Sequence, residues 1–224
     1  MIDPSKILNI KSKKEFEKFS IEIFKYQFNN NKIYREFCEL TDKNPSNVKS
    51  SIEIPFLPIQ FFKTHKIVSS NKEVHKIFHS SGTTKNTLSK HYVIDVKLYE
   101  DCFNKIFSSH YGHPSNFNII ALLPTYLENK NSSLIYMVNH LIGKSDNINS
   151  GFYLNNYQEL KEKLIYLENG DKETILFGVS YALLNLVDYH KFRLNKTTII
   201  ETGGMKGNRK ELVKSELHKL LKNG

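Results

Sequence analysis

From Val74 onward, short runs rich in β-branched and aromatic residues alternate with longer stretches whose apolar residues recur every three or four positions. The runs "VHKIFH", "FNIIALLP", "ETILFGV" and "TTIIET" predict strands, the second of them ending at Pro124. A helix is expected to start near Asp95, a good N-cap, and to carry Leu98, Cys102, Phe103, Ile106 and Phe107. "SSLIYMVNHLIG" predicts a helix with a serine start and a stop at Gly143. "YQELKEKLIYLENG" sets Leu160, Leu164 and Leu167 on one face, "SYALLNLVDYH" is a further helix, and "NRKELVKSELHKLLKNG" is a closing one capped by Gly224. Strands alternating with helices imply crossover units, hence an α/β fold with a mostly parallel sheet flanked by helices.

The pattern before residue 50 differs. In "KKEFEKFSIEIFKYQF", Phe16, Phe19, Ile23 and Phe24 share one helical face, and a second helix from Ile33 to Leu40 sets Tyr34 and Phe37 beside Leu40. After the loop "TDKNPSNVKSS", Pro55 and Pro58 in "IEIPFLPIQFFKTHKIV" forbid a regular helix and suit an extended segment packed on a core. The expected organisation is a helical extension over 1–50, then an α/β domain over 51–224.

In parallel sheets the ligand crevice lies outside the carboxyl ends of the strands. That rule singles out the loop after Phe78, "PTYLE" after Leu123, "GVSYA" after Phe177 and "TGGMKG" after Glu201.

Composition narrows the function classes. With 224 residues, 39% hydrophobic and 25% charged, the chain can bury a sizeable core. No apolar run approaches the roughly 18 residues that suggest a membrane span. The start "MIDPSKILNIKSKKEF" lacks the apolar block of a signal peptide, so a cytoplasmic protein is expected. The formal charge of +9 would suit a nucleic-acid binder, but the lysines are interspersed with glutamates, as in "KKEFEK", without an arginine cluster. Nucleic acid is therefore not the expected partner, although an anionic ligand is favoured. Cys38 and Cys102 sit in helical patterns without disulfide or zinc spacing, and His91, His110 and His113 read as surface or loop histidines.

Two loops carry candidate chemistry. In "FHSSGTTKNTLSKHY", hydroxyls and the backbone N–H groups of a glycine turn can converge on phosphate oxygens. The Gly-Lys-Ser/Thr ending of a Walker A loop is missing, and an ordinary solvated linker fits the same residues. In "TTIIETGGMKGNRKELV", Gly203 and Gly204 either expose backbone to a planar ring or ribose, or make a tight turn that needs positive φ.

These segments carry a resemblance. "SSGTT" before a basic stretch resembles the phosphate loop of adenylate-forming ligases, "ETILFGVSYALLNLV" their strand leading into an acyl-pocket helix, and "IIETGGMKGNRKEL" their double-glycine turn. More narrowly, "IPFLPIQFFKTHKI", "SKHYVID", "ALLPTYLE", "SSLIYMV", "SGFYL" and "ETGGMKG" resemble the LuxE-type acyl-protein synthetases, over nearly the whole chain. The resemblance implies activation of a carboxylic acid, typically a fatty acid, by ATP with Mg2+. The acyl group then passes to a thiol acceptor, a protein cysteine or coenzyme A, and onward to a partner reductase. It implies that Ser80, Ser81, Gly82, Thr83, Thr84, Lys85 and Lys90 bind the ATP phosphates. Gly203, Gly204 and Met205 would border the adenylate, and Tyr126, Gly178, Val179, Ser180 and Tyr181 would line the acyl pocket. For Ser180 and Tyr181, helix N-capping and core packing are equally good readings.

The pattern also departs from the family. Lys85 stands where the phosphate loop usually has glycine, either straining the turn or adding charge. The family's adenine-binding strand, lid and acceptor cysteine would follow Gly224, so catalytic residues are expected beyond it. The expected state is an incomplete enzyme with a bare sheet edge, open to aggregation or to a complementary chain. A non-catalytic acyl- or nucleotide-binding module and an aryl-CoA ligase are the alternatives.

Overall fold

The computed structural model describes residues 3–80, 88–123, 131–205 and 207–224. The chain divides into two compact units, residues 1–105 and 106–224. The sequence reading set its boundary near residue 50, whereas this division falls inside helix α5 (Val96–Tyr111).

The first unit opens with helices α1 (Pro4–Ile7), α2 (Lys13–Asn30) and α3 (Lys32–Leu40). Ser12 starts α2, its side chain accepting the Glu15 N–H at 3.2 Å while the Glu15 carboxylate accepts the Lys11 N–H at 2.8 Å. Asn31 ends α2 and caps α3, taking the Tyr34 N–H at 3.2 Å. Phe24, Tyr34, Cys38 and Val48 form the buried centre, and the Tyr34 hydroxyl donates to the Pro55 carbonyl at 2.7 Å. Two expected core positions are not buried: Phe16 is 53% and Leu40 87% exposed. The segment with Pro55 and Pro58 avoids regular helix except for the single turn α4 (Phe61–Thr64).

The "VHKIFH" strand forms, as β1 (Lys76–His79), but it does not join the parallel sheet. It pairs antiparallel with β2 (Lys90–Val93) in a separate two-stranded ribbon. Asp95 caps α5 as expected, its carboxylate accepting the Leu98 N–H at 3.0 Å. Within the first unit, Phe78 of the ribbon packs at a tilt on Tyr99, and Tyr99 edge-on against Phe103, at centroid distances of 5.1 and 5.2 Å.

The second unit is α/β. Its sheet has four parallel strands in the order β4 (Gly151–Tyr153), β3 (Phe117–Leu122), β5 (Glu173–Gly178) and β6 (Thr197–Glu201). Helices α6 (Ser133–Ser145), α7 (Tyr157–Glu168), α8 (Ser180–Tyr189) and α9 (Lys214–Lys222) flank it. Every residue of β3 is buried, as its unbroken apolar run requires of a central strand. Its one amide, Asn118, is satisfied: Nδ2 donates to the Thr174 hydroxyl at 3.3 Å, and Oδ1 accepts from Asn147 at 2.7 Å. Leu160, Leu164 and Leu167 of α7 are buried as predicted.

Three details differ from the sequence reading. Strand β4 carries too short a signal to be predicted. Helix α6 runs through Gly143 and ends at Asp146 with φ +46°, a left-handed conformation that aspartate tolerates. Helix α9 begins only at Lys214, with Val213 as N-cap, and Asn223 rather than Gly224 ends it.

Burial pushes the thiols of Cys38 and Cys102 above their ordinary pKa, so little thiolate forms near neutrality. Cys38 is fully buried and Cys102 partly so. In alkylation at pH 8 followed by mass spectrometry, Cys102 should react slowly and Cys38 only after denaturant is added. Native Cys38 labelling at the rate of a free thiol would contradict this packing.

Candidate functional site

Strand order reverses between β3 and β5. The chain leaves β3 for β4 on one side and β5 for β6 on the other. Ligand crevices of parallel α/β sheets open at the carboxyl ends of strands beside such a reversal. Two of the four segments selected from sequence lie within the described residues: that after Phe177 ends β5 and borders the reversal, and that after Glu201 ends β6, the neighbouring outer strand.

Both follow from how the strands end. The β5–β6 ladder stops at the pair Gly178 and Glu201. One residue on, the Thr202 N–H and hydroxyl both donate to the Gly178 carbonyl, at 3.0 and 3.1 Å. Gly178 itself has no room for a side chain: an added Cβ would lie 2.5 Å from Leu183 Cδ2. Val179 then caps α8, so the capping position expected at Ser180 belongs to its neighbour, and Ser180 is the first helical residue.

After Thr202 the chain turns through Gly203 at φ +79° and Gly204 at φ +96°, values that favour glycine. The turn lies against the start of α8. The Ser180 N–H points to the Gly203 carbonyl and the Tyr181 N–H to the Gly204 carbonyl, both at 3.4 Å, at the weak end of hydrogen bonding. Gly178 to Tyr181 and Gly203 to Gly204 are thus brought together. The two glycines are exposed; Met205 is not, being 3% exposed, and Ser180 and Tyr181 are buried as well.

Sequence reasoning did not assign the residue that organises this arrangement. Glu201, with a side chain only 10% exposed, accepts from the Ser180 hydroxyl at 2.5 Å and from the Gly203 N–H at 2.6 Å through the same oxygen, Oε1. Its Oε2 lies 3.9 Å from Nε2 of His218 on α9. The carboxylate sits at the N-terminal end of α8, where the helix dipole favours negative charge. Further along, the Arg209 guanidinium donates to Asn185 at 2.8 Å and to Asp188 at 2.5 Å, tying the segment after the turn to α8. Glutamate at a strand end and arginine in a polar loop carry no sequence signal of these roles; apart from Gly203, two residues from Glu201, their partners are distant in the chain.

Leu176, Leu183, Leu186 and Leu221, with Glu201 and His218, line a cavity of about 360 Å³ beside this cluster. Its walls are mainly apolar, with the carboxylate and imidazole among them. Ser180 cannot serve as an exposed nucleophile, since it is 3% exposed and its hydroxyl is engaged.

The other expected site residues are placed differently. Ser80 is described: its N–H donates to the Ser89 carbonyl at 3.0 Å, and its hydroxyl accepts the Ser89 N–H at 3.1 Å, closing the connection between β1 and β2. Because β1 belongs to the antiparallel ribbon, the rule for carboxyl ends of parallel strands does not apply to this loop. Lys90 is an exposed residue of β2. Ser81, Gly82, Thr83, Thr84, Lys85 and Tyr126 lie outside the described residues. Among the described residues, no group of three or more His, Cys, Asp and Glu side chains is placed to hold a metal ion.

No protein-family model, curated protein or solved structure matches the chain.

The turn is directly testable. An added Cβ at Gly203 meets nothing within 4 Å, so Gly203→Ala should cost only its positive φ, about 1–2 kcal/mol. Gly203→Asn should cost less, since asparagine tolerates that region better. Equilibrium denaturation measures both, and an alanine variant as stable as the parent would contradict the left-handed turn.

Proposed function

We propose that the protein belongs to the acyl-adenylate-forming ligases of the acyl-protein synthetase type, activating a fatty or other carboxylic acid with ATP. The observation that carries the reading is the meeting of Gly178–Tyr181 with Gly203–Gly204 at the carboxyl ends of β5 and β6, one strand over from the reversal between β3 and β5. The resemblance assigned these segments to one ligand, and they are adjacent although more than a helix of sequence separates them.

In the proposed reaction, a carboxylate oxygen of the acid attacks the α-phosphorus of ATP. The bond from that phosphorus to the bridging oxygen breaks, pyrophosphate leaves, and the acyl-adenylate remains. A thiolate then attacks the acyl carbon, forming a thioester and releasing AMP. A carboxylate is a poor electrophile, and AMP makes its oxygen a good leaving group, so most of the catalytic work is positioning and charge neutralisation. Within this reading, the exposed peptide planes of Gly203 and Gly204 border the adenylate. Glu201 already places negative charge at the N-terminus of α8, which disfavours the triphosphate there and suits the less charged adenylate. The assignment of Ser80–Lys85 and Lys90 to the phosphates rests on the resemblance alone. Magnesium does not fit a protein cage among the described residues and would arrive on the nucleotide phosphates, its usual ligands.

Acid-dependent exchange of labelled pyrophosphate into ATP tests the reading, with a panel of fatty and aryl acids. Exchange with fatty acids, absent without acid, is expected from the chain extended through the following reading frame, and little or none from these 224 residues alone. Acid-dependent consumption of coenzyme A with aryl acids would favour the aryl-CoA ligase. Binding of an acyl-adenylate analogue without exchange would favour a non-catalytic module, and neither binding nor exchange would overturn the proposal.

A further inference from the structure

We infer that Glu201 is a positioning residue that sets the shape of the double-glycine turn and fastens it to the start of helix α8. Its Oε1 receives two donors that lie on different elements, the Ser180 hydroxyl on α8 and the Gly203 N–H in the turn, at 2.5 and 2.6 Å. A single carboxylate oxygen thus holds together the two segments that converge at the sheet edge. Hydrogen bonds to a charged acceptor are the strong class, whereas the two backbone contacts between turn and helix, at 3.4 Å, are weak. Beyond the two Thr202 bonds to Gly178 that start the turn, the carboxylate is therefore the main restraint at Gly203 and Gly204, which have no side chains of their own.

The second oxygen faces His218, on a helix anchored through buried Leu217. The turn's exposed face stays open to a ligand while its opposite face is held. For catalysis the inference rests on the adenylation reading; for geometry it does not.

Hydrogen exchange by NMR on the full chain, with pyrophosphate exchange alongside, tests it. Glu201→Ala should speed exchange of the Gly203 amide about tenfold or more, the size of one lost charge-assisted hydrogen bond, with the amides inside β5 unchanged. Glu201→Gln keeps a carbonyl oxygen for both donors and should restore protection to within a few-fold of the parent. If the alanine variant does not fold, Glu201→Leu fills the space without an acceptor and takes its place. In the activity arm, on the extended protein, the alanine or leucine variant should lose kcat more than it raises KM for the acid, and Gln should recover it. A turn amide equally protected without the carboxylate, or unprotected in Glu201→Gln, would overturn the inference. Absence of pyrophosphate exchange from the extended, folded protein would defeat the adenylation reading and leave the amide result to decide the role of Glu201.

Discussion

The pairing of β3 with β5 is the constraint from which the second unit follows. The six residues of β3 are all buried, as are the last five of β5. Buried backbone N–H and C=O groups must find partners, and for two adjacent apolar strands the parallel ladder supplies them. Parallel pairing then demands crossover helices, and those helices must bury apolar faces on the sheet, as Leu160, Leu164 and Leu167 of α7 do. With β4 added beside β3 and β6 beside β5, the order of strand addition reverses at the central pair while all four strands stay parallel. The position of a crevice is a consequence of that order, reached before any side chain chemistry is considered.

What occupies the edge of that crevice is decided by polar groups that the ladder leaves over. The Gly178 carbonyl takes both Thr202 donors, which brings the chain after β6 back over β5. Two positive-φ glycines let it lie against α8, and Glu201 holds it there. The helix start, which would otherwise attract an anion, is already balanced by a carboxylate.

Much of this was legible in the chain. Strands β3, β5 and β6 are continuous apolar or β-branched runs, and α7 shows its face through three leucines. Other features depend on tertiary partners. "VHKIFH" announces a strand but not its sheet, since alternation says nothing about which neighbour supplies the hydrogen bonds. Phe16 and Leu40 obey helical periodicity, yet the covering elements do not extend over them. Gly143 reads as a stop only if its backbone is left-handed, and it lies inside α6. The helix predicted from Asn208 starts late; Arg209 instead reaches back to Asn185 and Asp188. Glu201 looked like an ordinary strand end because its value lies in Ser180, Gly203 and His218, none of them its immediate neighbours in sequence.

The central claim is that the start of α8 and the double-glycine turn form two sides of one ligand site. Titration of the labelled protein with a non-hydrolysable acyl-adenylate analogue, followed by amide NMR, measures this most directly. Saturating shifts at both Gly178–Tyr181 and Gly203–Met205, with a single dissociation constant, are predicted. Saturable binding whose shifts spare both segments would contradict the claim.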